Sequence, residues 1–338
     1  MTPDELKVIN NEQMIAFFKG YDYTWRLTKI LSINYIIKNR ENLKSELSDY
    51  YEGFIDCNDN YIYGSVTNGL AFSALSELLM QIEDFFALLK HIRNDQEFIK
   101  GITFYYASDI LKIGDKLKQM TKKELLHAFM IPDEEMFQEI FKDVPEENWK
   151  SSLNDLNSDC ELIIEYVDEI VDTFNKFRFF YNQYKHGLTV ALKPFDNYSE
   201  EGIEARKKEF KTSVVSYDNS TLERTKRGGT DGNVAFVIPN LTPSIAPHLE
   251  ELYNNGNLLR YHMSSKIDML DLIESSKKIC LLNMILINNR LDYADPEDIG
   301  CNNIFIPTRN KTKKFMHKNI KLVPKGEPIK LESFNVTF

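Results

Sequence analysis

The sequence predicts a mainly α fold: a helical bundle with a small β-containing insertion and a β-rich C-terminal tail. Two long segments whose apolar residues recur at alternating steps of three and four predict the bundle. Short runs of Val, Ile and Thr after residue 187 predict the insertion, and apolar runs punctuated by prolines after residue 303 predict the tail. Of the 338 residues, 43 % are hydrophobic, 27 % charged and 12 % aromatic. That composition excludes a largely disordered or collagen-like chain and supplies bulky side chains for helix packing.

Residues 3 to about 51 read as helix, broken at Gly20, and the piece over 25–47 mixes Leu27, Ile30, Leu31, Ile33, Ile36 and Ile37 with charges. A short β-like or irregular stretch is expected over 61–66. The clearest helix runs over 67–92, where Ala71, Leu75, Leu78, Ile82, Phe85 and Leu89 share one face and Phe72, Leu79 and Phe86 widen it. Further helical material fills 95–130, with Lys112, Lys116 and Lys118 on its polar side. Residues 131–172 carry 14 Asp or Glu against two Lys, and Pro145 ahead of Glu146 and Glu147 suits a helix start.

Over 161–184, Ile163, Val167, Ile170, Phe174, Phe177, Tyr181 and Tyr184 again step by four and three, a bundle-type seam that stops at Gly187. Short strands are expected over 188–192, 212–217 and 234–238, with a polar, glycine-rich loop over 219–232. Helical periodicity resumes near Ser264 and runs to about Leu291. The tail reads as strands over 304–306, 320–323 and 329–338. This gives a bundle over 1–192, an insertion over 193–262, a returning bundle helix over 263–292 and a basic tail over 293–338.

Charge and cysteine usage narrow the function classes. Lys and Arg number 41 against 51 Asp and Glu, a formal charge of −10, which argues against non-specific coating of nucleic acid. Cys57, Cys160, Cys280 and Cys301 lie far apart with no CxxC pair, so neither a zinc knuckle nor a disulfide framework is expected, and a reducing cytoplasm fits. Residues 1–30 lack the apolar run of a signal peptide, and no window approaches the roughly 20 apolar residues a membrane span needs. The expectation is a cytoplasmic protein without membrane contact.

One constellation carries chemistry. Beside the apolar seam runs a polar strip of Asn175, Arg178, Asn182, Lys185 and His186. Arg178, Asn182 and His186 follow at intervals of four, which stacks them on one helix face within reach of a common ligand. A guanidinium can clamp a phosphate and an imidazole can exchange a proton near neutral pH. RNA needs no metal for cleavage, because its own 2′-hydroxyl serves as nucleophile once a base takes the proton. The structural reading of the same residues is that His186 before Gly187 is a cation at a helix end, that Arg178 pairs with an acid, and that Tyr181 and Tyr184 are core residues.

The stretch from Tyr181 to Gly187, YNQYKHG, resembles the HEPN superfamily, α-helical bundles of which many are metal-independent ribonucleases in bacterial toxin and phage-defence systems. The family signature is an arginine, a polar residue and then a histidine near the end of a long helix. Here Tyr181 stands directly before Asn182, where that arginine is found, and seven residues separate Arg178 from His186. The resemblance implies His186 as the proton-transfer group, Arg178 as phosphate clamp and Asn182 as orienting residue, with Lys185 and Tyr181 beside the ligand. It also implies RNA or a nucleotide as partner and a homodimer in which two motifs face each other. The alternative is a non-catalytic helical adaptor, antitoxin or nucleotide-sensing module.

Two further features are basic. Arg224, Lys226 and Arg227 precede Gly228 and Gly229 in a loop able to hold an anion on freed backbone N–H groups, or simply forming a hairpin tip. Over 300–325 lie Arg309, Lys311, Lys313, Lys314, Lys318, Lys321, Lys325 and His317 with no acid. His91, His127, His248, His262 and His317 show no metal-ligand spacing with Cys or Asp, so neither a metal nor a cofactor is expected.

Overall fold

The computed structural model describes residues 2–51, 66–94, 98–186, 190–191, 214–215, 232–239, 260–293, 303–308, 316–321, 331–334 and 336. The chain is mainly α. Helices α1 (Pro3–Gly20), α2 (Trp25–Lys38) and α3 (Arg40–Tyr51) are followed by α4 (Asn68–His91), α5 (Phe98–Thr103), α6 (Ala107–Leu117), α7 (Lys122–Ala128) and α8 (Glu134–Ile140). Then come α9 (Glu146–His186), which is 41 residues long, and α10 (Met269–Asp292). The strands are β1 (Val190–Ala191), β2 (Val214–Val215), β3 (Gly232–Pro239), β4 (Arg260–Ile267), β5 (Asn303–Thr308) and β6 (Met316–Lys321).

The residues divide into two compact units. One comprises Met1–Leu27, Met80–Lys176 and Ser275–Phe338; the other comprises Thr28–Leu79 and Phe177–Glu274. The second unit contains a four-stranded sheet of order β1-β3-β4-β2. β3 pairs antiparallel with both β1 and β4, with Phe236 opposite Met263, while β2 runs parallel to β4. In the same unit α2 buries Ile30 and Ile37, and Lys29 of α2 pairs with Glu77 of α4. The first unit contains the β5–β6 hairpin, antiparallel with Ile304 opposite Ile320, and Ile304 and Ile306 fully buried.

Packing in the first unit is helix on helix. Phe86 of α4 meets Phe174 of α9 edge-on at 5.5 Å, and Gly114 of α6 lets that aromatic pair approach its backbone. Gln81 of α4 and Ser276 of α10 bind each other reciprocally: Ser276 Oγ donates to Gln81 Oε1 at 2.6 Å, and Gln81 Nε2 donates to the Ser276 carbonyl. Both side chains are buried, so each satisfies a polar group that water cannot reach. Asn289 of α10 works as a surrogate backbone. Its Nδ2 donates to the carbonyls of Phe129 and Phe305, and its Oδ1 accepts from Phe305 N at 2.7 Å, which ties β5 to the bundle.

Helix starts follow local chemistry. Thr2 and Glu5 form a capping box ahead of α1 with Pro3 in the first turn, and Thr121 and Glu124 form another ahead of α7. Helix α7 ends in a Schellman motif: Ile131 N bonds the Leu126 carbonyl and Met130 N the His127 carbonyl. Met130 takes the left-handed conformation this motif needs, at φ 57°.

Three expectations need correction. The helix expected from Ser264 starts at Met269, because Ser264–Ile267 belong to β4 paired with β3. The 320–323 strand is centred earlier, over Met316–Lys321, where pairing with β5 sets the register. The 329–338 strand gives way to a 3-10 turn over Leu331–Ser333, followed by a buried Phe334. The stretch expected over 61–66 falls almost wholly outside the described residues.

Candidate functional site

The seam of α9 is buried from Ile163 through Tyr181, with Ile163, Val167, Ile170, Phe174, Phe177 and Tyr181 all at 5 % exposure or less. An α-helix advances about 100° per residue, so the residue after each seam position lies on the seam's flank. Asn175 and Arg178 occupy that flank and are half-buried. Arg178 makes no hydrogen bond or ion pair with another described residue. Its reading as the partner of an acid therefore finds no such acid among the described residues.

The helix continues without interruption to His186, its last helical residue. Positions 178, 182 and 186 therefore fall at successive four-residue intervals on one continuous helix, as a shared ligand requires. Tyr181 is part of the packed core. The side chains of Asn182, Lys185 and His186 lie outside the described residues. So do Gly187, the loop bearing Arg224, Lys226 and Arg227, and the basic side chains of 309–325.

A second constellation was not anticipated from the sequence. At the corner between α7 and α8, His127 Nε2 lies 2.8 Å from Asp133 Oδ2, and His127 is 5 % exposed. An ionised carboxylate can only accept, so Nε2 carries the hydrogen and donates to it. Asp133 also caps α8, its Oδ1 accepting from Met136 N at 2.9 Å, and it pairs with Lys123 at 2.9 Å. Lys123 reaches Glu135 as well, at 2.6 Å. These residues, with Thr121, Glu124, Met136 and Ser333, line a cavity of about 490 Å³.

The electrostatics of this corner are mixed. Burial holds the His127 imidazole below its ordinary range, outweighing the attraction of Asp133, so the ring is neutral at neutral pH. Burial by itself raises the Asp133 carboxyl, but the Met136 amide, Lys123 and His127 together bring it below the usual carboxylate range. The sequence did carry a signal: a capping box at Thr121–Glu124 ahead of Leu125 and Leu126, then Asp133 ahead of two glutamates. What it hid was the six-residue separation of the pair, which only the Met130 turn closes.

His91 closes α4 beside Lys90, two basic groups in the last turn. Cys160 and Cys280 are buried free thiols, pushed by burial up to about 12 and about 11. Among the described residues no group of three or more His, Cys, Asp or Glu is placed to hold a metal ion, and no helix is long and apolar enough to cross a membrane. Comparison with family models, with curated proteins and with solved structures gave no match.

Proposed function

We propose that this chain is a HEPN-like cytoplasmic protein that binds RNA and cleaves it without metal at the end of α9. The observation that supports this reading is the unbroken helix from Glu146 to His186, on which positions 178, 182 and 186 recur at four-residue steps beside a buried seam. Arg178, half-buried and with no described partner, is the phosphate clamp. His186 takes the proton of the RNA 2′-hydroxyl, whose oxygen attacks the adjacent phosphorus. The bond to the 5′-oxygen breaks, leaving a 2′,3′-cyclic phosphate and a 5′-hydroxyl that regains a proton. Arg178 offsets charge on the phosphoryl oxygens as it develops, and Asn182 orients one of the two. A homodimer supplies a second copy of the motif.

The test is RNA cleavage in EDTA with wild type, His186→Ala and Arg178→Ala. The expected outcome is cleavage by the wild type, unchanged by chelator, and a loss of about 10²–10⁴-fold in His186→Ala. Equal background in all three removes the nuclease. RNA binding that falls in Arg178→Ala, with no cleavage by any variant, supports a binding module instead.

A further inference from the structure

Residues 331–334 and 336 are fastened to the rest of the first unit on several sides. Phe334 follows the 3-10 turn, is 4 % exposed, and its N–H returns to the Leu331 carbonyl at 3.1 Å. Its ring stands edge-on to the His127 imidazole at 5.5 Å and 83°, and to Tyr293 at 5.6 Å and 77°. The guanidinium of Arg93 grips the backbone: Nη1 donates to the Phe334 carbonyl at 2.9 Å and Nη2 to that of Val336 at 3.4 Å. Ser333, one residue before the buried ring, lines the cavity that His127 and Asp133 also line.

We propose that this segment is a latch docked on His127, released when the imidazole takes up a proton. The docked aromatic ring covers one side of the imidazole, which is 5 % exposed where it lines the cavity, so an imidazolium there depends largely on its neighbours. From α8 and its cap, Asp133 attracts it and Glu135 lies farther along the same cavity. From α7, Lys123 opposes it and Glu124 lines the cavity edge, while Arg93, just past α4, opposes it on the side of the segment. The one carboxylate in contact is already shared with Lys123 and the α8 backbone. Lifting the segment opens the covered side of the charged ring to water, at the cost of an exposed phenyl and of the two Arg93 hydrogen bonds to its backbone.

The sign follows from proton linkage. The released state holds the His127 proton more tightly than the docked state. Release is therefore favoured as pH falls below the ordinary histidine value of about 6.5, and docking is complete above it. This device involves neither Arg178 nor His186, so it stands apart from the nuclease reading.

Amide hydrogen exchange by mass spectrometry on the full chain at pH 7.5, 6.5 and 5.5, corrected for intrinsic rates, tests it. Wild-type protection over 331–336 is expected to fall by about threefold or more across that range, while an α4 peptide stays protected. His127→Gln, which keeps a donor for Asp133 but does not titrate, is expected to flatten the profile. Phe334→Ala is expected to be unprotected over 331–336 at every pH. Identical pH profiles in wild type and His127→Gln overturn the latch, as does protection that grows with acid, which would mean Asp133 grips the imidazolium. Should His127→Gln lose α4 protection, NMR titration of His127 in wild type and Phe334→Ala decides. Easier protonation in Phe334→Ala supports the latch, and an unchanged titration overturns it.

Discussion

At Gly101 in α5, a Cβ added to the backbone would lie 2.2 Å from Nδ1 of His91 and 2.5 Å from its Cγ. The imidazole occupies the space that any side chain would need. Gly101→Ala is expected to lower stability by about 1–3 kcal/mol in urea denaturation. Combination with His91→Ala should recover most of that loss, because the two act through one contact. Gly114 is the control. Its nearest neighbour is Phe86 at 3.4 Å, ordinary contact, so Gly114→Ala should gain about 0.5–1 kcal/mol from helix propensity. Asn289 presents the opposite case, a side chain that satisfies backbone on two other segments. Asn289→Ala strands the Phe305 amide and two carbonyls and is expected to cost about 2–4 kcal/mol by the same measurement.

At the scale of elements, α9 buries one face from Trp149 to Tyr181. Phe174 packs edge-on against Phe86 of α4, with both rings over Gly114 of α6, and Phe174→Ala is expected to cost about 3–5 kcal/mol in urea denaturation. Its surface ion pairs contribute far less: Lys118–Asp172 and Lys122–Glu161 are exposed, and Glu161→Ala should change stability by less than about 1 kcal/mol. The same contrast explains what the sequence disclosed. Seam residues of α4 and α9 announce themselves because burial of one face imposes a period on the apolar side chains. β4 announces itself less: in RYHMSSKI, Tyr261, Met263 and Ile267 alternate with Arg260, His262, Ser264 and Lys266, but Ser265 interrupts a run only eight residues long. Its pairing with β3 on one side and β2 on the other is a non-local fact that no window of sequence contains. The 3-10 turn at Leu331–Ser333 was hidden for a related reason: Phe334 is placed by His127 and Tyr293, residues far away in the chain.

Across the whole molecule, two groups at one corner make stability pH-dependent in separate windows. His127 is held low in the folded state, so stability falls as pH drops below about 6.5, where the unfolded chain binds a proton that the folded one refuses. Asp133 is also held low, but for a carboxylate this means stability that is present above about 4 and lost as pH falls through its depressed folded value. Urea midpoints at pH 7.5, 6 and 5 should decline in wild type, and His127→Gln should remove that decline. Thiol chemistry reports on the core as well. Cys160 and Cys280, buried and held protonated, should be silent to a thiol reagent in a Cys57→Ser/Cys301→Ser background until guanidinium unfolds the chain. The α9 seam was legible because all its members share one helix. The His127–Asp133 pair was not, since its partners meet only after the chain reverses.

That reversal turns on Met130, a fully buried side chain in a conformation usually left to glycine. Pro132 then disfavours helical backbone at Ile131, and Asp133, itself extended, stands both at the start of one helix and against the imidazole of another. Such a corner tolerates no change in length, because one inserted residue would leave the carboxylate capping its own helix but swing it away from the imidazole. Distant kin of this chain should therefore be traceable by spacing alone: Thr-x-x-Glu, two leucines, histidine, and an aspartate six positions on, just past a proline.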